Sequence, residues 1–311
     1  MKRTNLSPWL LLTALMISAL SAYAESERSP REWLEQMSRS HRELNYSGVL
    51  SYQSPGQMHS YRLRHGVVNG KEFEHVEPLS GGSSDLVRFG HHVTCVHPGH
   101  QLLRQNPQSD GPARHYQMSL SGYERVADRK SVVIRIEPND RHRYGYRLSL
   151  DEETGLLLRS ELLSGRGQAI ERFQFVMIEI GGSLPSSARA RIAGGHNPSH
   201  REPLDVAQSQ ALKAEQSWQP SWVPAGFLMV RAESDQSGHL QTYSDGMAAF
   251  SVFLDPDANV ESEPTEIRQG ATVAASTPLI GDRERWLATV VGEIPLATAR
   301  KVAASVRWEQ R

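Results

Sequence analysis

Residues 91–100, "HHVTCVHPGH", hold the densest run of metal-ligating side chains in the chain. On extended backbone, His91, Val93, Cys95 and His97 share one face, with same-face neighbours ~6.5 Å apart. At that spacing Cys95 and His97 could share a soft metal ion, and His100 could approach after the Pro98-Gly99 turn. The spacing fits no established zinc pattern, and Cys95 is the single cysteine. The run reads better as the polar end of a strand, and no metal site is assigned. A second pattern, "DPDANVESEPTE" at 255–266, places acidic or amide side chains at positions 1, 3, 5, 7, 9 and 12 of a calcium loop. Its sixth position is Val260, where the sharp turn requires glycine, and the stretch before it reads as a strand rather than a helix. A solvated acidic loop is the better account.

Catalytic signatures are missing as well. The chain has no G-x-S-x-G elbow, no H-E-x-x-H, no phosphate-binding glycine loop and no dinucleotide fingerprint. No catalytic residue and no cofactor are assigned, and the expectation is a protein that is not an enzyme. Nor does charge point to nucleic acid. The first 24 residues have the layout of a cleaved secretory signal: Lys2 and Arg3, an apolar run from Trp9 to Leu20, and the small-x-small site Ala22-Tyr23-Ala24. The run is shorter than the ~20 residues a spanning helix needs. Its removal leaves 32 basic against 35 acidic residues, a net charge of −3. A slightly acidic, exported chain lacks the concentrated positive charge that a phosphate backbone demands. With one cysteine it cannot form an internal disulfide, so stability must come from packed cores.

The elements that carry these residues are mostly strands. Ser29-Pro30-Arg31-Glu32 combines a capping residue, a proline suited to the first helical turn and the capping-box glutamate; Trp33, Leu34, Met37 and Leu44 then recur at helical spacing. From Tyr46 onward the period is two. "YSGVLSYQ" and "MHSYRLRH" flank Ser54-Pro55-Gly56 as a hairpin, and "KEFEHVEP", "LVRFGHHVTCVHPG", "SVVIRIEP" and "AIERFQFVMIEI" continue an antiparallel meander. Within "DRHRYGYRLSLDEETGLLLRSEL" at 140–162, alternation puts Arg141, Arg143, Gly145, Arg147 and Ser149 on one face of a strand. His142, Tyr144, Tyr146, Leu148 and Leu150 fall on the other. Residues 181–217 lose periodicity and are rich in Gly, Ser, Pro and Ala, which predicts a flexible linker with a helical turn near its end. A second block follows, with strands around an Asp245-Gly246 turn and a helix opened by Pro295 with Leu296, Ala299, Ala303 and Val306 on one side. A sheet with one aromatic-aliphatic face and a covering helix makes either a plain domain core or an apolar groove for acyl chains. Composition does not separate the two.

Several segments, in order along nearly the whole mature chain, resemble the MucB/RseB family of periplasmic regulators of an envelope-stress sigma factor. They are "YSGVLSYQ", "DRHRYGYRLSLDEETGLLLRSELL" and "ERFQF" in the first part, and "WVPAGF", "YSDGMAAFSVFL" and "VVGEIPLATARKVA" in the second. The resemblance implies a mainly β protein with an α+β part: an N-terminal lipoprotein-carrier-like unclosed antiparallel β-barrel with covering helices over 25–180, and a smaller C-terminal α+β domain over 218–311. It implies a periplasmic location and, as partner, the periplasmic domain of a membrane-spanning anti-sigma factor (RseA or MucA type), shielded from a DegS-type site-1 protease. Lipopolysaccharide or lipoprotein acyl chains would displace the regulator, and a homo-oligomer is compatible with all of this. A periplasmic lipid or lipoprotein carrier without a signalling role is the alternative. Within that frame, Tyr144, Tyr146, Leu148, Leu150, Phe173, Phe175 and Met177 are the expected lipid-groove residues. Trp222, Phe227 and Tyr243 are the expected partner contacts.

Overall fold

The computed structural model describes residues 28–68, 71–80, 86–89, 114–182, 206–214, 217–235, 238–256, 264–280 and 285–308. The cleavage signal at 1–24 and the histidine-rich run 91–100 lie outside them, as do most of the 181–217 stretch and the centre of the acidic loop. Helix α1 (Pro30–Glu43) starts where the capping box predicts. The Glu32 amide donates to Ser29 Oγ at 3.3 Å, and the Ser29 amide donates to Glu32 Oε2 at 2.7 Å, so two otherwise orphaned donors are satisfied.

Nine strands then form one antiparallel sheet: β1 (Tyr46–Ser54), β2 (Gln57–Val68), β3 (Lys71–Pro78), β4 (Leu86–Phe89), β5 (Tyr116–Val126), β6 (Arg129–Pro138), β7 (Gly145–Asp151), β8 (Leu157–Leu163) and β9 (Ala169–Ile180). Their order is β4-β3-β2-β1-β9-β8-β7-β6-β5. First and last strands of the meander pair in the middle, and among the described residues β4 and β5 are the edges, so the sheet is unclosed as expected. One face carries Val132, Ile134, Ile136, Tyr146, Leu148 and Leu150, which pack with Trp33, Leu34 and Met37 of α1 into a single buried cluster. Burying such side chains stabilises by ~1.5–3 kcal/mol each, and this closes the inner side of the sheet.

The opposite face is ionic. Arg135, Arg147, Glu161 and Arg172 sit opposite one another on successive strands. Arg147 Nη2 meets Glu124 Oε2 at 2.8 Å and its Nη1 meets Glu161 Oε2 at 3.2 Å; Arg159 adds a second cation to Glu124 at 3.1 Å. Burial alone would raise the Glu124 carboxyl, but hydrogen bonds from Arg147 and Ser149 and the charge of Arg159 hold it below its ordinary value. A lowered carboxyl contributes stability that is present above its unfolded value near 4.5 and is lost as pH falls through the folded one. Acid titration of the wild type should therefore show a destabilising arm below about pH 4.5. That arm should shrink in Glu124→Gln, measured by urea denaturation at pH 3–6. An unchanged arm would mean the outer network is fully screened.

Helix α2 (Val206–Ala214) supplies the helical turn expected near the end of the 181–217 stretch; it packs against β11 (Leu228–Asp235) of the C-terminal domain and is followed by β10 (Trp218–Pro220). A six-stranded antiparallel sheet follows: β11 (Leu228–Asp235), β12 (Gly238–Ser244), β13 (Ala249–Pro256), β14 (Thr265–Gln269), β15 (Thr272–Ile280) and β16 (Arg285–Gly292), ordered β11-β12-β13-β16-β15-β14. Helix α3 (Leu296–Ala303) covers β15 and β16, and β17 (Val306–Trp308) pairs with β10. Its core includes Trp218, Tyr243, Phe250, Val252, Val290 and Val302. Residues 305–306, read as the tail of the final helix, instead leave it. Ser305 Oγ donates to Val302 O at 2.8 Å and Val306 turns into β17.

Candidate functional site

The most chemically elaborate region joins the two sheets. It is built on the Asp245-Gly246 turn between β12 and β13. One carboxylate oxygen of Asp245 accepts the amides of Met247 (2.9 Å) and Ala248 (2.7 Å), which is ordinary Asx-turn chemistry. Its other oxygen points out of the domain and accepts from Arg143 Nε at 2.6 Å and from Tyr116 Oη at 3.1 Å. Arg143 is fully buried. Its remaining donors reach the Asp140 carboxylate and the backbone oxygen of Ala225, and its guanidinium lies 4.9 Å from the Phe227 ring centre. A cation with no route to water is tolerable only when it is paired and hydrogen-bonded, and here each of its three nitrogens reaches an acceptor. Burial, reinforced by Asp245, pushes the Tyr116 phenol well above its usual range, so it stays a donor.

Two further contacts flank this centre. Tyr146 Oη donates to Met247 O at 3.1 Å, which brings Met247 into the N-terminal apolar cluster. His142 Nδ1 lies 3.1 Å from Thr298 Oγ1 of α3, and its ring meets Trp222 edge-on at 5.1 Å while Lys301 Nζ sits 3.7 Å over the same indole. Burial lowers the His142 imidazole below its ordinary value, favouring the neutral ring. On the other side, Glu171 of β9 accepts the Ala271 amide from the β14–β15 turn at 2.6 Å. Two glycines permit these approaches. A Cβ at Gly226 would come within 2.1 Å of His115 Nε2, and one at Gly270 within 2.1 Å of Glu171 Oε1; both residues have positive φ as well.

The expected cation face of 140–150 needs correcting. Strand β7 begins only at Gly145; residues 140–143 form bends, so strand alternation does not extend to Arg141 and Arg143. Arg147 and Ser149 do face the ionic side, whereas Arg143 is the buried pin of the seam. The seven groove candidates also divide. Tyr144, Tyr146, Leu148 and Leu150 lie buried in the cluster under α1, and register places Phe173 beside Ser160 and Leu148 on that same face. Phe173 and Phe175 pack in a neighbouring cluster with Tyr46, Leu50 and Leu158. Met177 does not join them. A bulge pairs Val49 with Met177 but Leu50 with Phe175, so the alternation reverses and Met177 emerges 64% exposed while Ile178 turns inward.

Of the three partner candidates, only Trp222 keeps some surface. Phe227 and Tyr243 are buried: Tyr243 stacks on Phe250 at 5.3 Å and donates to Gln241 Oε1 at 2.8 Å. They build the domain and the underside of the seam rather than an outer contact surface. Sequence reading missed Arg143, Asp245 and Glu171 as seam residues. For Glu171 a sign was available, because it interrupts an otherwise apolar parity with Phe173 and Phe175. For Asp245 the turn was legible and its second partner was not.

An unclosed antiparallel sheet pinned to a smaller α+β domain through one buried polar seam defines a two-domain binding scaffold. The sequence profile of the MucB/RseB N-terminal domain matches residues 29–193, and that of the MucB/RseB C-terminal domain matches 212–307. The chain belongs to the MucB/RseB family. It is 31% identical to the sigma factor AlgU regulatory protein MucB of Pseudomonas aeruginosa, over 96% of this chain and 97% of that protein. It is 27% identical to the sigma-E factor regulatory protein RseB of Haemophilus influenzae, over 96% and 98% respectively. A crystal structure of MucB in complex with MucA(peri) superimposes with a TM-score of 0.73 at 31% identity, covering 90% of this chain and 99% of that one.

Proposed function

We propose that this chain is a periplasmic regulator that binds the periplasmic part of a membrane-spanning anti-sigma factor and shields it from site-1 proteolysis. It yields that partner when acyl chains bind, and it acts without making or breaking covalent bonds. The observation that carries the reading is the full-length likeness, across both units, to a relative solved in complex with MucA(peri). In this reading residues 1–24 direct export, 25–180 form the acyl-responsive unit, 181–217 are the linker that absorbs rearrangement, and 218–311 complete the partner surface. Among the described residues no helix is long and apolar enough to cross a membrane.

The seam supplies a physical route for the response. The inner face that would receive acyl chains is covered by α1 and by Met247 and Ala271 of the C-terminal domain. A chain entering there must displace part of that cover, so lipid and the docked arrangement compete for the same apolar surface. Moving such an equilibrium from 1:99 to 99:1 takes ~5.5 kcal/mol of differential affinity. Acyl burial gives ~0.8 kcal/mol per methylene, so roughly seven or eight methylenes suffice.

The test uses the chain from residue 25 onward, the periplasmic segment of the cognate anti-sigma factor and the site-1 protease, with and without lipopolysaccharide. The expected result is slowed cleavage that lipid restores. Cleavage at the same rate with and without the protein would end the regulator reading. Protection untouched by lipid would remove the acyl-responsive half.

A further inference from the structure

We infer that the rim of the seam around Trp222 is a docking site for an acidic, extended peptide, held by Arg141 of the N-terminal unit and Lys301 of α3, and complete only while the two units are docked. This rests on the reading of the chain as an anti-sigma factor regulator and gives that reading a contact surface. Trp222 is half-buried and lies where the units meet. His142, from the bends before β7, meets its ring edge-on at 5.1 Å and lies 3.1 Å from Thr298 Oγ1 of α3. Lys301, one helical turn beyond Thr298, holds its Nζ 3.7 Å over the same indole. Arg141 precedes His142, and both Arg141 and Lys301 are exposed. Side chains from two units thus surround one open indole.

The acids nearby are already taken. Asp140 gives its carboxylate to the buried Arg143 and to the His142 amide, and Glu266 pairs with Arg300, the neighbour of Lys301. Among the described residues Arg141 and Lys301 are left without a carboxylate. Their charges converge all the same: burial is the main cause that keeps the His142 ring neutral, and Lys301 and Arg141 both act in that sense against the pull of Asp140. Unpaired positive charge beside an open indole suits a ligand that carries carboxylates and an apolar side chain. The two cations come from separate units and flank a ring, an arrangement that fits an extended chain better than a compact phosphate. Because each unit supplies part of the site, a peptide held there binds the docked form alone and adds its binding free energy to docking. Acyl chains that displace the inner cover would then weaken the peptide without touching it, and the peptide would weaken lipid by the same factor.

The test titrates the chain from residue 25 onward with the periplasmic segment of the cognate anti-sigma factor, by calorimetry at about 50 mM and about 500 mM salt. At low salt Arg141→Gln and Lys301→Gln should each weaken binding roughly three- to fivefold. Arg141→Glu combined with Lys301→Glu, which sets like charges against the peptide, should weaken it at least about 30-fold. High salt should shrink all of these losses. Arg285→Glu, at an exposed cation at the far end of β16, is the charge control and should change affinity less than about twofold. Binding should also slow exchange of the Ala271 amide, which crosses the seam to Glu171. Equal binding by the wild type and the double variant would remove the rim site and leave the regulator reading standing. Unchanged Ala271 exchange in the complex would confine the contact to one unit and overturn the shared site. A double variant that keeps the peptide but loses lipopolysaccharide would assign the rim to lipid phosphate instead. No binding by the wild type at either salt would sink both readings.

Discussion

Asp245→Ala is expected to destabilise the chain by about 3–5 kcal/mol, because it leaves Arg143 buried with one of its two carboxylate partners gone. The same change removes the acceptor for the Met247 and Ala248 amides and for Tyr116. Three failures thus coincide at one turn: an uncompensated cation, an unmade Asx turn and an orphaned phenol. The double variant Arg143→Met, Asp245→Asn separates them. It removes the charge pair, retains a side-chain oxygen for the turn, and should recover most of the loss, since apolar replacement of a buried ion pair is often neutral. Urea denaturation of both variants, monitored separately by tryptophan fluorescence and far-ultraviolet dichroism, measures this. A loss under about 1 kcal/mol in Asp245→Ala would show that the seam opens readily enough for water to reach Arg143.

Leu148→Ala should cost about 2–5 kcal/mol. Leu148 is 0% exposed at the centre of the inner face, opposite Ile134 and Ser160 and packed in the cluster under α1. Truncation there removes buried methyl groups and leaves a cavity that strands on both sides cannot collapse into. Met177→Ala, 64% exposed on the other side of the bulge, should change stability by no more than about 0.5 kcal/mol. The comparison decides what the inner face is in the resting protein. If it is core, Leu148 carries the larger cost; if it stands open as a groove, both changes are small. Under the proposed acyl response, Leu148→Ala should retain lipopolysaccharide binding, because the deletion enlarges the space beneath the cover rather than closing it.

Much of this protein was legible one element at a time. The capping box at Ser29–Glu32, the hairpin across Pro55-Gly56, the Asp245-Gly246 turn and the two-residue period in the first half of β9 are local features, and local sterics and hydrogen bonding are enough to specify them. Strands β5, β11 and β14 left a weaker trace. Edge strands need few apolar residues: β5 buries only Tyr116 and Val126, and β14 buries none. The resemblance added what no single element could, the pairing of an unclosed sheet with a second domain.

What alternation along a strand implied by itself was the existence of two faces, one apolar and one ionic, because the side-chain period of a strand is a property of the backbone. Only the tertiary structure decided where that alternation starts and where it flips. The bends at 140–143 take Arg143 off the ionic face, and the bulge opposite Val49 turns Met177 out. The partners of Arg143 and Glu171 lie about a hundred residues away, at Asp245 and Ala271. Whether a buried charge is a defect or a pin depends on groups the chain delivers from elsewhere, and no local spacing encodes that.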